Sequence, residues 1–259
     1  MPVRTRHLLR SRLRWDGHVV HDGPFASTQE AFDAAHSLMP GDDLEVLGTF
    51  VLPPADGAPS RDFQTLHIDF GLPLEPRGPA DVGRYTALHI PVGAGAPVAA
   101  TRLVALDGLA ASAGGVAQWP ARVERYGRLH GGRAGSPGYV EGSLARLMEA
   151  VLGGAPALPS VRADPAFLCG AEFASLQAER AFFERLGVRL QEWEVRLRPG
   201  QLLVFDNLAV AHGRRGVRRP GELRQQVLGH RGLDAVGQRR LRDEVFARLA
   251  GRDGERHPG

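Results

Sequence analysis

A His-x-Asp triplet formed by His67, Ile68 and Asp69, together with a distant histidine, His212, constrains this chain more than any other feature. Residues two apart in an extended strand point to the same face, so His67 and Asp69 could reach one ion. His212 would complete a set of two imidazoles and one carboxylate, which leaves positions on one side of a bound metal open. Because an isolated His-x-Asp triplet is common by chance, the prediction depends on the surrounding sequence.

The triplet lies in a segment, residues 63–70, whose alternation predicts a β-strand. On this pattern Phe63 and Thr65 share the face of the two potential ligands, whereas Gln64 and Leu66 face away. A buried carboxylate is costly unless it is paired or coordinates a metal. Two ionisable groups on one face of an otherwise apolar strand therefore favour a metal site.

The composition is that of an ordinary soluble globular protein, with 43% hydrophobic and 24% charged residues in a chain of 259. This length suits one β-rich domain, which we expect to span residues 1–250 and to be followed by a disordered tail over 251–259. All 32 basic side chains are arginine, yet the net charge is only +3, so a nucleic-acid partner is not expected.

The single cysteine, Cys169, excludes an intramolecular disulfide and any metal site built from several cysteines. It fits a reducing compartment, and the first residues contain no apolar run of signal-peptide length, so we expect a cytoplasmic protein. No apolar run approaches the length of a transmembrane helix, and a membrane partner is not expected.

Short strands punctuated by glycine and proline, with helices that do not alternate regularly with them, predict the fold class. We expect an opening hairpin that turns at Asp16-Gly17, then a helix whose capping box is Ser27 and Glu30. Further helices are expected at residues 103–110, 141–152, 171–186 and 238–249, and further strands at 44–51, 85–91, 188–197, 202–205 and 223–229. The prediction is a mainly β protein with α-helices (α+β), in which a double-stranded β-helix, or jelly roll, has helices packed outside. A parallel α/β sheet would need regular βαβ spacing.

Residues 118–139 are the most irregular part of the chain and contain four arginines. Long loops inside a compact domain are often lids or binding loops. We expect this segment to cover the site, and its arginines favour an anionic or zwitterionic ligand.

Several motifs, taken in order, resemble one enzyme family. They are Leu66-His67-Ile68-Asp69, then Thr101, then Asp206-Asn207 through His212-Gly213-Arg214, and finally Arg224. In this order and spacing the chain resembles the Fe(II)/2-oxoglutarate-dependent dioxygenases of the taurine dioxygenase and γ-butyrobetaine hydroxylase type, over residues 63–234.

The resemblance implies that His67, Asp69 and His212 bind Fe(II), and that 2-oxoglutarate and O2 are cosubstrates. It also implies that Arg224 pairs with the distal carboxylate of 2-oxoglutarate and that Thr101, at the start of a helix, donates its hydroxyl to that carboxylate. Two neutral imidazoles and a carboxylate hold Fe(II) while adjacent positions stay open. A guanidinium grips a carboxylate through two parallel hydrogen bonds.

Several arginines follow His212, and their spacing selects among them. Arg224 is favoured because it lies 224 − 212 = 12 positions after the histidine, on a predicted strand. Arg218 is the second choice. The remaining arginines of this segment, Arg214 among them, are interpreted as a solvated basic turn.

Other histidines of the chain are alternative ligands by residue type alone. His89 follows His67 by 22 residues and is interpreted as a core histidine satisfied by a hydrogen bond. His36 is interpreted as a partly exposed helix residue, and His230 as a neighbour of the site.

The activity implied by the resemblance is hydroxylation of an unactivated C–H bond in a small anionic or zwitterionic metabolite, such as an amino acid or a derivative. In this reaction 2-oxoglutarate and O2 are converted to succinate and CO2. The presence of Asp69 argues against halogenation, which needs that ligand position for the halide, whereas desaturation or cyclisation would use the same residues. Two alternatives come from other classes. One is a non-catalytic jelly-roll protein that holds a structural metal, which Arg224 disfavours. The other is a basic nucleic-acid-binding protein, for which arginines should cluster with exposed aromatic residues, whereas the aromatic residues here mostly fall at core-like positions.

Overall fold

The computed structural model describes residues 2–39, 44–51, 63–68, 78–94, 99–109, 142–144, 148, 173, 175–185, 187–216 and 223–251. The helices within these ranges are α1 (Val3–Asp16), α2 (Thr28–Leu38), α3 (Leu176–Arg185) and α4 (Ala235–Leu249). The strands are β1 (His18–His21), β2 (Glu45–Val51), β3 (Phe63–Ile68), β4 (Ala80–His89), β5 (Ala100–Ala105), β6 (Gly142–Ser143), β7 (Glu192–Val195), β8 (Leu202–Asp206), β9 (Val210–Arg215) and β10 (Arg224–Leu233).

The strands form two antiparallel sheets of five strands each. The first sheet has the order β1-β8-β4-β10-β2, and the second has the order β6-β3-β9-β5-β7. From β2 to β5, and again from β7 to β10, successive strands belong to alternate sheets. Strands far apart in sequence therefore become neighbours, and β3 lies beside β9. The predicted class, antiparallel strands with additional helices, is confirmed, and a parallel sheet is excluded within the described residues.

The two sheets pack face to face, with helices on their outer faces. The core between the sheets contains Leu88 and Phe205 from the first sheet and Leu103 from the second. The outer face of the first sheet packs against α1 and α2, and the outer face of the second packs against α3 and α4. Alternate residues of a strand therefore belong to different cores, which is how the face of each side chain is assigned below.

The predicted opening hairpin is wrong, because the chain begins with helix α1. Leu9 and Leu13, one helical turn apart, are buried against the first sheet. Gly17 ends the helix in the left-handed conformation at φ 71°. An Asp-Gly pair serves a hairpin turn and a helix C-terminus for the same reason, since glycine adopts positive φ without strain.

The predicted helix at residues 103–110 is also wrong, because residues 103–105 belong to strand β5 and residues 107–109 form a turn. Leu103 packs between the sheets, whereas Val104 packs against the outer helices. An apolar run buried on both faces carries no period-two signal, so its pattern does not distinguish a short strand from a helix. Thr101 consequently lies in a strand and not at a helix start.

The helix predicted after Ser27 is confirmed as α2. The Ser27 hydroxyl accepts a hydrogen bond from the Glu30 N–H at 3.1 Å, and the Glu30 carboxylate accepts one from the Ala26 N–H at 2.6 Å.

Three strands differ from their predicted limits: β4 begins at Ala80, β7 covers only Glu192–Val195 and β10 continues to Leu233.

Further boundaries differ near the C-terminal half of the chain. Helix α4 begins at Ala235 with Asp234 as its cap, and α3 begins at Leu176. Strand β6 lies inside the range predicted as a helix from residue 141. The predicted lid at 118–139 and the predicted tail at 251–259, apart from Gly251, lie outside the described residues. None of the helices in the described ranges combines the length and the hydropathy needed to span a bilayer.

Candidate metal centre

Two buried histidines face each other across neighbouring strands. His67 of β3 and His212 of β9 are directly opposed in the antiparallel ladder. Their ring centroids lie 4.2 Å apart, and the planes are inclined by 49°. Only 3% of His67 and 7% of His212 are exposed. The Phe205 ring of the opposite sheet lies 4.5 Å from the His212 ring, so the pair lies between the sheets.

A β-bulge sets the direction of His67. Gln64 pairs with Arg214 and His67 pairs with His212, so three steps along β3 match two steps along β9. The extra residue shifts the alternation of β3. Gln64 therefore shares the side of His67, whereas Phe63 packs with Leu66 against the outer helices. The predicted alternation of residues 63–70 is wrong upstream of the bulge for this reason.

The bulge also fixes the tautomer of His67. Its Nδ1 lies 2.9 Å from the Thr65 carbonyl oxygen, which only accepts hydrogen bonds. Nδ1 must therefore carry a proton, which makes Nε2 the ring nitrogen that would bind a metal. The side-chain nitrogen of Gln64 lies 3.4 Å from that Nε2. A ligand histidine whose other nitrogen donates to a carbonyl is the usual arrangement at protein metal sites.

The two described donors fit a metal such as Fe(II). Imidazole nitrogens suit that ion, and the buried position excludes competing water. The third predicted ligand, Asp69, lies outside the described residues. Within the described ranges no group of three or more His, Cys, Asp and Glu side chains is close enough to share an ion.

Strand β5 adds two further side chains to the face of the histidines. Leu103 is directly opposite His212, and Thr101 is directly opposite Arg214. Directly opposed residues of antiparallel strands share a face of the sheet. Thr101, predicted as a hydroxyl donor, is thus brought to the face of the histidines, two residue pairs along from His212.

Arg224 is placed on a different surface. It lies in the first sheet, directly opposite His89. Two residues further along β10, the Gln226 amide oxygen accepts a hydrogen bond from His36 of α2 at 2.8 Å. Arg224 therefore shares the face that α2 covers, whereas the histidines lie between the sheets. The structure does not bring Arg224 and the histidines together, and its role toward 2-oxoglutarate stays a prediction.

Among the described arginines that follow His212, Arg214 shares the face of the histidines. Strand β9 continues to Arg215, so Arg214 is a strand residue two positions from His212 and not part of a solvated turn. Its guanidinium is half-buried and donates a hydrogen bond to the Gly216 carbonyl. The position of Arg214, two residues after His212, indicates that the two side chains share a face only if this segment is recognised as a strand. Arg218 lies outside the described residues.

His89 is a core histidine, as the sequence analysis favoured. It is fully buried, and its Nδ1 donates to the Gln201 carbonyl at 3.0 Å. The Phe25 ring stands edge-on to it at 6.0 Å. Burial lowers the pKa of His89, and the nearby charge of Arg224 lowers it further. Because His89 lies on the α2-covered face, it is not positioned as a ligand beside His67.

The turn between β8 and β9 fixes the start of the strand that carries His212. The Asp206 carboxylate accepts from the Leu208 N–H at 2.8 Å and pairs with Arg84 at 3.0 Å. Burial raises the pKa of Asp206, and the charge of Arg84 opposes that rise. Asn207 donates from its side chain to the Thr86 hydroxyl at 3.1 Å. The Asp206-Asn207 pair is thus a structural part of the turn.

Comparisons with known proteins add a likeness of fold. PvcB, described as an Fe, α-ketoglutarate-dependent oxygenase from an isonitrile synthetic pathway, is 16% identical over 89% of this chain and 80% of its own, with a TM-score of 0.45. Asparagine oxygenase, in complex with Fe(II), hydroxyasparagine and succinate, is 14% identical over 89% and 80%, with a TM-score of 0.44. A taurine dioxygenase from Burkholderia xenovorans is 13% identical over 92% and 86%, with a TM-score of 0.42.

The proteins in these solved structures are at most 16% identical to this chain. Their TM-scores are below 0.5, so residue roles in this chain rest on its own geometry. No protein-family model matches the chain. No curated protein matches it either.

Proposed function

We propose that the chain is an Fe(II)/2-oxoglutarate-dependent oxygenase in which His67, Asp69 and His212 hold the iron. The observation that carries this proposal is the buried pair of opposed histidines, with ring centroids 4.2 Å apart. Because the Nδ1 of His67 is directed at the Thr65 carbonyl, the ring would bind the metal through Nε2. The residue type and sequence position of Asp69 complete the set of two His and one carboxylate.

When bound, Fe(II) in this set offers adjacent open positions for a 2-oxo acid and for O2. The chain supplies the surroundings of those positions. Phe205 and Leu103 line the histidine pair and exclude water, and the Thr65 carbonyl keeps the proton of His67 on Nδ1. A dry site strengthens charge interactions and protects a reactive oxidant from side reactions.

The distal carboxylate of 2-oxoglutarate has two candidate partners in this proposal. Arg224 has the predicted spacing from His212, and Arg214 shares the face of the histidines and of Thr101. A guanidinium binds a carboxylate only where both point into the same cavity. Because Arg214 shares the face of the histidines, we favour it as the partner of the distal carboxylate, with Thr101 directly opposite it in the ladder.

We also propose that the two sheets form a double-stranded β-helix within one domain of residues 1–250. The order β2-β10-β4-β8 in one sheet and β3-β9-β5-β7 in the other supports this topology. Successive strands alternate between the sheets, as a jelly roll requires. Both ends of the described chain pack into the same pair of sheets, which supports a single domain.

For the substrate we propose a small anionic or zwitterionic metabolite, such as an amino acid or derivative, that is hydroxylated at an unactivated carbon. The arginines of residues 118–139 and the half-buried Arg214 support a ligand with negative charge. Desaturation or cyclisation by the same residues is the alternative outcome of the same site.

Release of succinate tests the proposal. The purified protein, loaded with Fe(II) and given 2-oxoglutarate and O2, should release succinate when free amino acids, amines and small acids are screened. His212→Ala should lose this activity, while His36→Ala, an exposed histidine on α2, should keep it. A protein that binds the metal but releases no succinate with any compound would favour the non-catalytic alternative.

A further inference from the structure

We propose that a buried arginine–glutamate network beneath β3 positions His67 by holding its bulge. The network is centred on Arg102 of β5, which is fully buried, and Glu179 of α3, of which 1% is exposed. Their closest atoms, Nη2 and Oε2, lie 2.7 Å apart. Glu192 of β7 receives two further hydrogen bonds from Arg102, at 2.9 and 2.8 Å.

The network binds the backbone of the bulge itself. A bulge removes ladder hydrogen bonds from the strand that contains it. The Leu66 N–H donates to the Glu179 carboxylate at 2.8 Å, and Arg102 donates to the Gln64 carbonyl at 3.3 Å. Two polar groups of the bulged segment are therefore satisfied by a buried ion pair from two other elements.

Gly213 permits this arrangement from the adjacent strand. It lies directly opposite Arg102 in the ladder between β5 and β9, so a side chain at 213 would point to the same face. A Cβ there would lie 2.6 Å from the Gln64 carbonyl oxygen and 3.1 Å from that of Thr65. The missing side chain leaves room for the bulge to approach β9 and for Arg102 to reach β3.

The charges of the network fit a positioning role better than a purely stabilising one. Burial raises the pKa of Glu179, and Arg102 and the Leu66 N–H oppose that rise. Burial also works against the charge of Arg102, but the hydrogen bonds that Arg102 donates to Glu192 and the charge of Glu179 keep its pKa raised. Well-packed apolar residues often stabilise a fold as much as a buried ion pair does. Apolar side chains could not form the hydrogen bonds to the Leu66 N–H and the Gln64 carbonyl that hold the bulge in one geometry.

That geometry presents the Thr65 carbonyl to His67 Nδ1. The chain of contacts runs from Glu179 to the Leu66 N–H, through the bulged backbone, to the His67 ring. Arg102 and Glu179 are thus positioning residues for the metal ligand. This inference rests on the proposed function only in so far as His67 binds a metal, since the fixed tautomer belongs to the metal-free protein.

The test replaces the pair by apolar residues of similar size, in the double variant Arg102→Met with Glu179→Leu. Long-range proton–nitrogen NMR correlations report the His67 tautomer. They are recorded on the metal-free protein at a pH well above the usual pKa range of histidine. We expect the Nδ1–H form to dominate in the unsubstituted protein and to lose its dominance in the double variant. Mn(II) affinity, measured by electron paramagnetic resonance, should fall by about 10- to 100-fold, the usual loss when a group behind a metal ligand is removed.

Two further variants separate positioning from folding. Glu179→Gln keeps an oxygen that can accept from the Leu66 N–H, so it should keep the tautomer and most of the Mn(II) affinity. Arg248→Met removes another pair, between helix α4 and the turn that follows β5, Arg248 with Asp107 at 3.2 Å, and should change neither readout. A stably folded double variant with an unchanged tautomer and unchanged Mn(II) affinity would overturn the inference.

A double variant that fails to fold leaves Glu179→Gln and Glu179→Leu as the deciding pair. The inference then requires that only Glu179→Leu disturbs the tautomer, and equal tautomers in the two variants would overturn it. If the unsubstituted protein binds no metal while the tautomer responds as expected, the proposed function fails and the positioning role stands.

Discussion

Substitution of Gly213 by alanine is the sharpest test of the bulge. The added Cβ would lie 2.6 Å from the Gln64 carbonyl oxygen, whereas ordinary contact begins at 3.4 Å, so β3 and β9 would have to separate by 3.4 − 2.6 = 0.8 Å. The two nearest obstructing atoms, the carbonyl oxygens of Gln64 and Thr65, belong to the backbone, which cannot rotate away as a flexible side chain can. Overpacking of this kind costs about 1–3 kcal/mol, and a weakened hydrogen bond costs about 1 kcal/mol more.

We therefore expect Gly213→Ala to lower the free energy of unfolding by about 2–4 kcal/mol, or Tm by about 5–15 °C for a chain of this size. Thermal and urea unfolding of the metal-free protein measure this. Gly78→Ala is the matched control, because the same methyl group meets no atom of the described residues within 4 Å and the backbone is not in the left-handed region. If the two variants unfold together, the close approach at the bulge is not a real constraint and the account of His67 fails.

Three other predictions follow from individual side chains. Because burial lowers the pKa of His89 below 6.5, the unfolded chain binds more protons than the folded one, and the free energy of unfolding should decrease as the pH falls below that value. Urea unfolding at successive pH values should show this slope, at most about 1.4 kcal/mol per pH unit, and His89→Gln should flatten it. Arg214→Gln should raise the KM for 2-oxoglutarate at least about tenfold, as expected for a lost charge-assisted pair, and more than Arg224→Gln does in steady-state succinate release; the reverse order would restore the arginine chosen from spacing. Thr65→Val should leave the free energy of unfolding unchanged or raise it by about 1 kcal/mol, because the buried Thr65 hydroxyl has no hydrogen-bond partner among the described residues and only the Thr65 carbonyl contacts His67. A large decrease in the free energy of unfolding, measured by chemical denaturation, would show that the hydroxyl stabilises the fold.

The local signals in the sequence predicted features that depend on few residues. The capping box at Ser27 and Glu30 satisfied its own backbone groups, so helix α2 followed from the sequence. The pairing of His67 with His212 followed from residue type and order. The Asp16-Gly17 pair misled, because a left-handed glycine ends a helix as readily as it turns a hairpin.

Features that depend on a partner strand were not accessible. The bulge exists because β3 and β9 advance by different numbers of residues between two pairs, and no pattern within β3 alone contains that information. The same limit explains the arginines. The face of Arg224 depends on its register with His89, and the face of Arg214 depends on β9 continuing past His212. The helix predicted over 103–110 failed because both faces of β5 are buried.

We propose that His67, Asp69 and His212 bind one Fe(II) together with 2-oxoglutarate. Anaerobic addition of Fe(II) and 2-oxoglutarate to the metal-free protein, followed by visible absorption, tests it most directly. We predict a metal-to-ligand charge-transfer band that is lost in His67→Ala, Asp69→Ala and His212→Ala and kept in His36→Ala. Absence of the band from the unsubstituted protein, or its persistence in His212→Ala, would contradict the account.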